Sequence, residues 1–221
     1  MKTKTKTWYT LIALIGLLLI AGCSTTGGKH ENGFTYTEIP VTYETVYPGE
    51  GNHIVFRGKE LPLSGTPIEV GDTLRSAQVT KEDLSLSTLN GLNNSIRIIN
   101  IVPSLDTKVC EQQTHYLSEK NQGLDQHVQL ITISVDTPFA QKRFAQEAKI
   151  DNVLFLSDYR GGEFGKTHGL LLEGPHVLAR AVMVVDQHNV LRYMQVTPDL
   201  GNLPDMEAAF QEARRLLDTP S

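Results

Sequence analysis

Residues 95–110 read SIRIINIVPSLDTKVC. The first eight are mostly Ile and Val with little polar interruption, the pattern of a strand covered on both faces and therefore central in its sheet. Pro103 has no N–H to offer a ladder and ends the strand. From Thr107 the pattern becomes helical and runs to about Gln122, where Gly123 closes it. Downstream, 127–135 (HVQLITISV) is a second buried strand. Residues 139–149 are helical, with Phe139, Ala140, Phe144 and Ala148 at helical spacing. A short strand at 153–156 and a short helix at 163–168 follow. Two strands at 179–186 and 190–196 turn at Gln187-His188-Asn189, and an amphipathic helix at 204–217 closes the chain. Upstream, 53–63 reads as a hairpin turning at Gly58-Lys59, with short strands at 77–80 and 85–89. From residue 95 the order is β-α-β-α-β-β-α, an α/β layer fold with no internal repeat and no boundary after residue 53.

The whole chain has 221 residues and a formal net charge of −5. Such a balance supplies no phosphate-neutralising surface, so no nucleic-acid partner is expected. Two cysteines make neither a disulfide scaffold nor a four-cysteine zinc site. The amino-terminal stretch is set apart. Lys2, Lys4 and Lys6 precede fifteen uncharged residues at 8–22. A bilayer-spanning helix takes about 20 apolar residues, so this run has the length of a secretory leader. It ends in Leu19-Ile20-Ala21-Gly22-Cys23, which resembles the bacterial lipobox. The resemblance implies cleavage before Cys23 and lipid on its sulfur and amino group. The alternative is an uncleaved anchor with an incidental cysteine. Ser24 after the cysteine resembles the sorting pattern for an outer membrane. The expected location is therefore the outer membrane where the organism has one, otherwise the outer face of the cytoplasmic membrane. Residues 1–22 are expected as signal peptide, 23–52 as a lipidated tether and 53–221 as the folded domain. The tether is rich in Gly, Thr, Glu and Pro and would reach roughly 25–30 Å as a coil. The alternation of Phe34 with Tyr36 and Val41 with Tyr43 leaves a short strand pair open instead.

Cys110 falls in the first turn of the helix after the strongest strand. Unpaired backbone N–H groups point outward there and their partial positive charge favours a thiolate. Thr107, three residues earlier, lies on the same side and can donate to the sulfur or to an incoming oxygen. The carboxyl end of a parallel sheet, kept clear by Pro103, is where α/β proteins hold ligands. A buried cysteine acting as a small hydrophobe fits the same position, and position alone does not choose between the two readings.

Pro103, Thr107 and Cys110 match the P-x-x-x-T-x-x-C signature of peroxiredoxins, and PSLDTKVC resembles the bacterial thiol peroxidase subfamily. Residues 134–141 (SVDTPFAQ), 179–182 (ARAV) and the hairpin with Phe56-Arg57-Gly58 resemble further segments of that subfamily. The resemblance implies a thioredoxin-like fold with a central mixed sheet and an N-terminal β-hairpin extension, working with no cofactor or metal. It implies that Cys110 is the peroxidatic cysteine, attacking a peroxide oxygen to become a sulfenic acid. Thr107 would hydrogen-bond the thiolate and the peroxide. Arg180 would hold the thiolate and the polarised O–O bond, and Pro103 would shield the pocket from water. A homodimer is implied as well.

One departure matters. Where typical members carry a resolving cysteine, this sequence has Ala145, and a lipidated Cys23 has no free thiol. The sulfenic acid must then be reduced by an external thiol, from a thioredoxin-like protein or a small molecule. A Cys110–Cys110 disulfide between chains is the other route. Residues 161–167 (GGEFGKT) end like a phosphate loop, but Arg160 stands where its first glycine is needed. The seven histidines show no ligand spacing. Asp106, Glu111 and Asp136 read as turn and helix-start groups. The expected function is a thiol peroxidase reducing hydrogen peroxide or organic hydroperoxides. The alternative is a non-enzymatic envelope redox sensor or binding lipoprotein on the same scaffold. A disulfide exchanger would need a C-x-x-C pair that is absent.

Overall fold

The computed structural model describes residues 33–92 and 95–219. The leader and Cys23 lie outside the described residues. The run that decides the fold forms β5 (Arg97–Ile101), every residue of it buried. β5 pairs in parallel with β6 (Gln129–Ser134), which pairs in parallel with β7 (Val153–Ser157). On the other side β10 (Ala181–Val185) runs antiparallel to β5, and β11 (Leu191–Val196) antiparallel to β10. β3 (Gln78–Thr80) and β4 (Leu86–Thr88) complete the far edge, giving the order β11-β10-β5-β6-β7-β3-β4 in a mixed seven-stranded sheet.

Alternation along each strand sends neighbours to opposite faces. Ile98, Leu130, Val182 and Val184 pack on one face with Leu117, Phe210 and Ala213. These partners belong to the helices α1 (Lys108–Glu119) and α4 (Met206–Asp218). α2 (Pro138–Ala148) packs on the same side, contributing Phe144 and Ala148. Ile99, Ile101, Ile131, Ile133 and Met183 point the other way, towards Ile54, Leu63 and Phe164. That second layer is capped by a smaller sheet. It is made of β1 (His53–Phe56), β2 (Lys59–Ser64), β8 (Leu171–Leu172) and β9 (Val177–Leu178), joined by the short helix α3 (Glu163–His168).

Helix starts follow local chemistry. Thr137 accepts from the Ala140 N–H at the head of α2, with Pro138 in the first turn, and Asp205 accepts from Ala208 N at 3.0 Å at the head of α4. The β1–β2 turn differs by one residue from expectation. Phe56 pairs with Lys59, so the turn residues are Arg57 and Gly58, both left-handed at φ 51° and 76°. Two positive φ values make a type I′ turn, whose twist matches the strands it joins.

The larger correction concerns the tether. Residues 34–50 neither hang free nor pair with themselves; they run along the folded body. Thr42 N donates to Leu203 O at 2.9 Å, Val46 N to Val196 O at 3.0 Å and Gly49 N to Gly169 O at 2.8 Å. Gln195 Nε2 donates to the carbonyls of Thr42 and Glu44. At Gly169 a Cβ would come within 2.6 Å of Gly49 N, so this approach needs glycine. The segment before residue 53 is accordingly part of the folded body, not a tether to it. A segment poor in aliphatic residues gains order here because the edges of the body satisfy its backbone polar groups.

Candidate active site

The site is assembled where β5 stops. Pro103 is buried at the strand's end. The loop that follows is pinned by Asp136, just after the end of β6. Its carboxylate accepts from Ser104 Oγ and from Leu105 N, both at 2.7 Å. Thr107 is the N-cap residue of α1, with extended backbone angles, and Cys110 is the third residue of that helix. Cys110 is fully buried, packed with Val102, Leu105, Phe144 and Phe155. Such an apolar collar keeps water away and strengthens any charge interaction inside it.

Arg180, between β9 and β10, meets the sulfur from the same face of the sheet as α1. Its Nη2 donates to Cys110 Sγ at 3.4 Å, its Nη1 to Gln113 Oε1 at 2.7 Å and its Nε to Leu200 O at 3.0 Å. Only 2% of the arginine is exposed. Gln113 is itself fixed, Nε2 donating to Ala181 O at 3.2 Å. A planar guanidinium held at two corners has one direction left for its third, and that direction is the sulfur. Beneath the helix, Thr114 Oγ1 donates to Cys110 O at 2.8 Å and accepts from Asn100 Nδ2 at 3.1 Å. The turn carrying Cys110 is thereby tied to β5.

Of the residues singled out from sequence, the structure joins Cys110 and Arg180. Pro103 closes the strand beside them. Thr107 does something other than expected. Its hydroxyl donates to Ser104 O at 3.2 Å and the residue is exposed, so its one proton is committed to the loop and not to the sulfur. Gln113 was missed, although it lies three residues after Cys110 and so on the same helical face. Phe144 and Phe155 were missed because nothing in their spacing marks them as neighbours of a residue so far away in sequence. Ala145, at the expected resolving position, lines a cleft of about 660 Å³ that Phe155 also lines. Phe155 thus stands between that cleft and the packing around Cys110.

The phosphate-loop decoy is filled from within. Asp158 accepts from Phe164 N and Gly165 N, both at 2.9 Å, so the head of α3 already holds a carboxylate. Burial pushes Asp158 up to about 6, against the pull of those two N–H groups. Among the described residues no three His, Cys, Asp or Glu side chains gather as a metal site would require.

A family model described as Redoxin matches residues 69–210. A thiol peroxidase from Streptococcus pneumoniae is 37% identical over 163 residues, 74% of this chain and 99% of that protein. One from Halalkalibacterium halodurans is 38% identical over 164 residues, 74% of this chain and 98% of that protein. Among solved structures, a peroxiredoxin-like protein from Aquifex aeolicus superposes with a TM-score of 0.69. It is 32% identical and the match covers 74% of this chain and 96% of that one. A thiol peroxidase from Chromobacterium violaceum has the same fold, with a TM-score of 0.63 at 24% identity over 74% of this chain and 97% of that one.

Proposed function

The chain belongs to the redoxin family, among the peroxiredoxins of the bacterial thiol peroxidase kind, and on that premise we propose how its residues carry the reaction. It is an enzyme that reduces peroxides at the expense of thiols. In our reading the Cys110 thiolate attacks the nearer oxygen of a peroxide. The S–O bond forms as the O–O bond breaks, leaving Cys110 sulfenic acid and an alkoxide or hydroxide that takes a proton to become an alcohol or water. Negative charge passes from sulfur to the leaving oxygen, and Arg180 is the fixed donor placed to follow it. The observation that carries this assignment is the 3.4 Å contact between Arg180 Nη2 and Cys110 Sγ, with the guanidinium held by Gln113 and Leu200.

The second half uses an external thiol. Its sulfur displaces hydroxide from the sulfenic acid, releasing water and leaving a mixed disulfide. A second thiol then attacks that disulfide, returning Cys110 and releasing the oxidised reductant. Ala145 in place of a second cysteine supports this route, since no described thiol other than Cys110 exists to resolve it. Without rapid resolution the sulfenic acid is also open to further oxidation to sulfinic acid. The lipobox-like run ending at Cys23 supports a lipid-anchored envelope protein, on the outer membrane or the outer face of the cytoplasmic membrane. A homodimer belongs to the same reading on the strength of the family resemblance. The comparisons do not favour the non-enzymatic alternative.

The test is peroxide consumption with excess thiol. Cys110→Ser should abolish it, while Ala145→Ser, which changes the empty resolving position, should leave it intact. Equal loss in both variants would contradict the assignment.

A further inference from the structure

The docked segment has its firmest hold on the helix that carries Cys110. Thr37 N and Oγ1 donate to Gln112 Oε1 at 2.8 and 3.0 Å, and Gln112 Nε2 donates back to Thr37 O at 3.0 Å. One side-chain amide thus clamps the strap's backbone in both directions. Phe34 stacks on His115 with ring centroids 3.8 Å apart, and Tyr36 donates to Glu119 Oε2 at 2.8 Å. Glu119 also meets His115 Nδ1 at 2.8 Å, and Lys120 lies over the Tyr36 ring. Residues 112, 115 and 119 are one stripe of α1, so the strap runs along the helix instead of crossing it. The curated relatives are matched almost end to end by about three quarters of this chain.

This hold bears on which thiol can finish the reaction, given the peroxidase reading above. Cys110 has no exposed surface. A thiol on the surface of another protein reaches such a sulfur only after the first turn of α1 leaves the sheet. That turn is continuous with Gln112, two residues on, which the strap clamps. A small thiol needs less room than a protein surface does, and a shift of the side chains beside the sulfur would admit it. A hollow of about 50 Å³ opens beside Leu105, Arg143 and Phe144, and both Leu105 and Phe144 pack on Cys110.

We propose that residues 34–37 are a latch on α1 that sets the reductant class of Cys110, admitting small thiols and holding back protein dithiols until it releases. The chemistry is the two-step thiol reduction already written, and the latch alters only access. Local opening of a helix turn depends on the contacts that must be broken to let it go. Removing the latch therefore speeds the route that needs opening and leaves the other alone.

The experiment compares the full chain with a Phe34→Ala, Tyr36→Phe, Thr37→Pro variant. Each is oxidised with one equivalent of hydrogen peroxide and then re-reduced with either reduced thioredoxin or free cysteine, all three rates being followed. The variant should gain about tenfold with thioredoxin, while the cysteine and peroxide rates stay within about twofold. Hydrogen exchange at the amides of 110–113 should quicken in parallel. Phe34→Ala alone, which keeps the Thr37–Gln112 clamp, should fall between and guards against a misfolded triple variant. An unchanged ratio of thioredoxin to cysteine rates, equal acceleration by both thiols, or a slowed peroxide step overturns the latch. Failure of the parent chain to react with peroxide at all would instead overturn the peroxidase reading on which the latch rests.

Discussion

Gln113 carries no reacting atom, yet the geometry of the site runs through it. It presents Oε1 to Arg180 Nη1 and holds itself by a bond to Ala181 O. Gln113→Ala removes a buried acceptor and frees the guanidinium to turn. The expected result is a peroxide reaction slowed by about tenfold to a hundredfold at Cys110, the scale of one misdirected donor. Gln113→Glu keeps the acceptor for Arg180 but loses the donor to Ala181 O, so it should recover part of the rate, which a purely structural loss would not. Stopped-flow oxidation of the three forms decides this. Residue identities were only partly legible in advance. Cys110 and Arg180 could be named from motif, and the helix-start position of Cys110 follows from the strand-break-helix reading. The role of Thr107 could not be read, because a hydroxyl's partner is chosen by the nearest carbonyl, here Ser104 O. Arg97 is a sharper case. It lies wholly buried in β5, donating to Leu89 O, Asp186 O and Asn189 Oδ1, and burial lowers its pKa. A charged residue in an apolar run gives no sign of such partners.

Among the elements, the loop between β5 and α1 depends on a carboxylate that another crossover supplies. Asp136 follows β6, and by accepting from Ser104 Oγ and Leu105 N it sets where α1 begins. Asp136→Ala leaves a buried loop N–H without its partner and should cost about 1–3 kcal/mol of stability. Peroxide reactivity should fall with it, since Leu105 packs on Cys110. Denaturant melts and oxidation rates on one preparation test both, and a variant as stable as the parent would contradict this role. Long periodic elements were readable: β5, β6, α1, α2 and α4 appear within two or three residues of expectation. β8 and β9 were not, because two-residue strands have no period to detect. The strap was misread for a related reason. Its order comes from single bridges such as Val41 to Leu203, and those are properties of the partner edge.

For the molecule as a whole, two buried groups outside the site make opposing contributions to the pH dependence of stability. Burial holds His168 down to about 4, its Nδ1 bound to Phe164 O. A depressed histidine favours the fold above its unfolded pKa near 6.5, and that contribution is lost as pH falls from there towards 4. Asp158 acts oppositely. Raised to about 6, it favours the fold below its unfolded value near 4 and loses that contribution as pH climbs to 6. The two trends oppose each other across the same window, each worth roughly 3 kcal/mol at full extent. His168→Gln should unmask the aspartate, making the protein more stable at pH 4.5 than at pH 6.5 relative to the parent's profile. Urea midpoints at the two pH values give the comparison, and parallel profiles would contradict it.

The account stands on Cys110 being a reactive thiol within reach of Arg180, and intact mass reads that chemistry without assuming any reductant. Protein from Ser24 onward is mixed with one equivalent of hydrogen peroxide in the presence of a dimedone-type trap, beside Cys110→Ser. Rapid appearance of a single adduct that maps to Cys110, and none in the variant, is the predicted result. A folded protein whose mass does not change would contradict it.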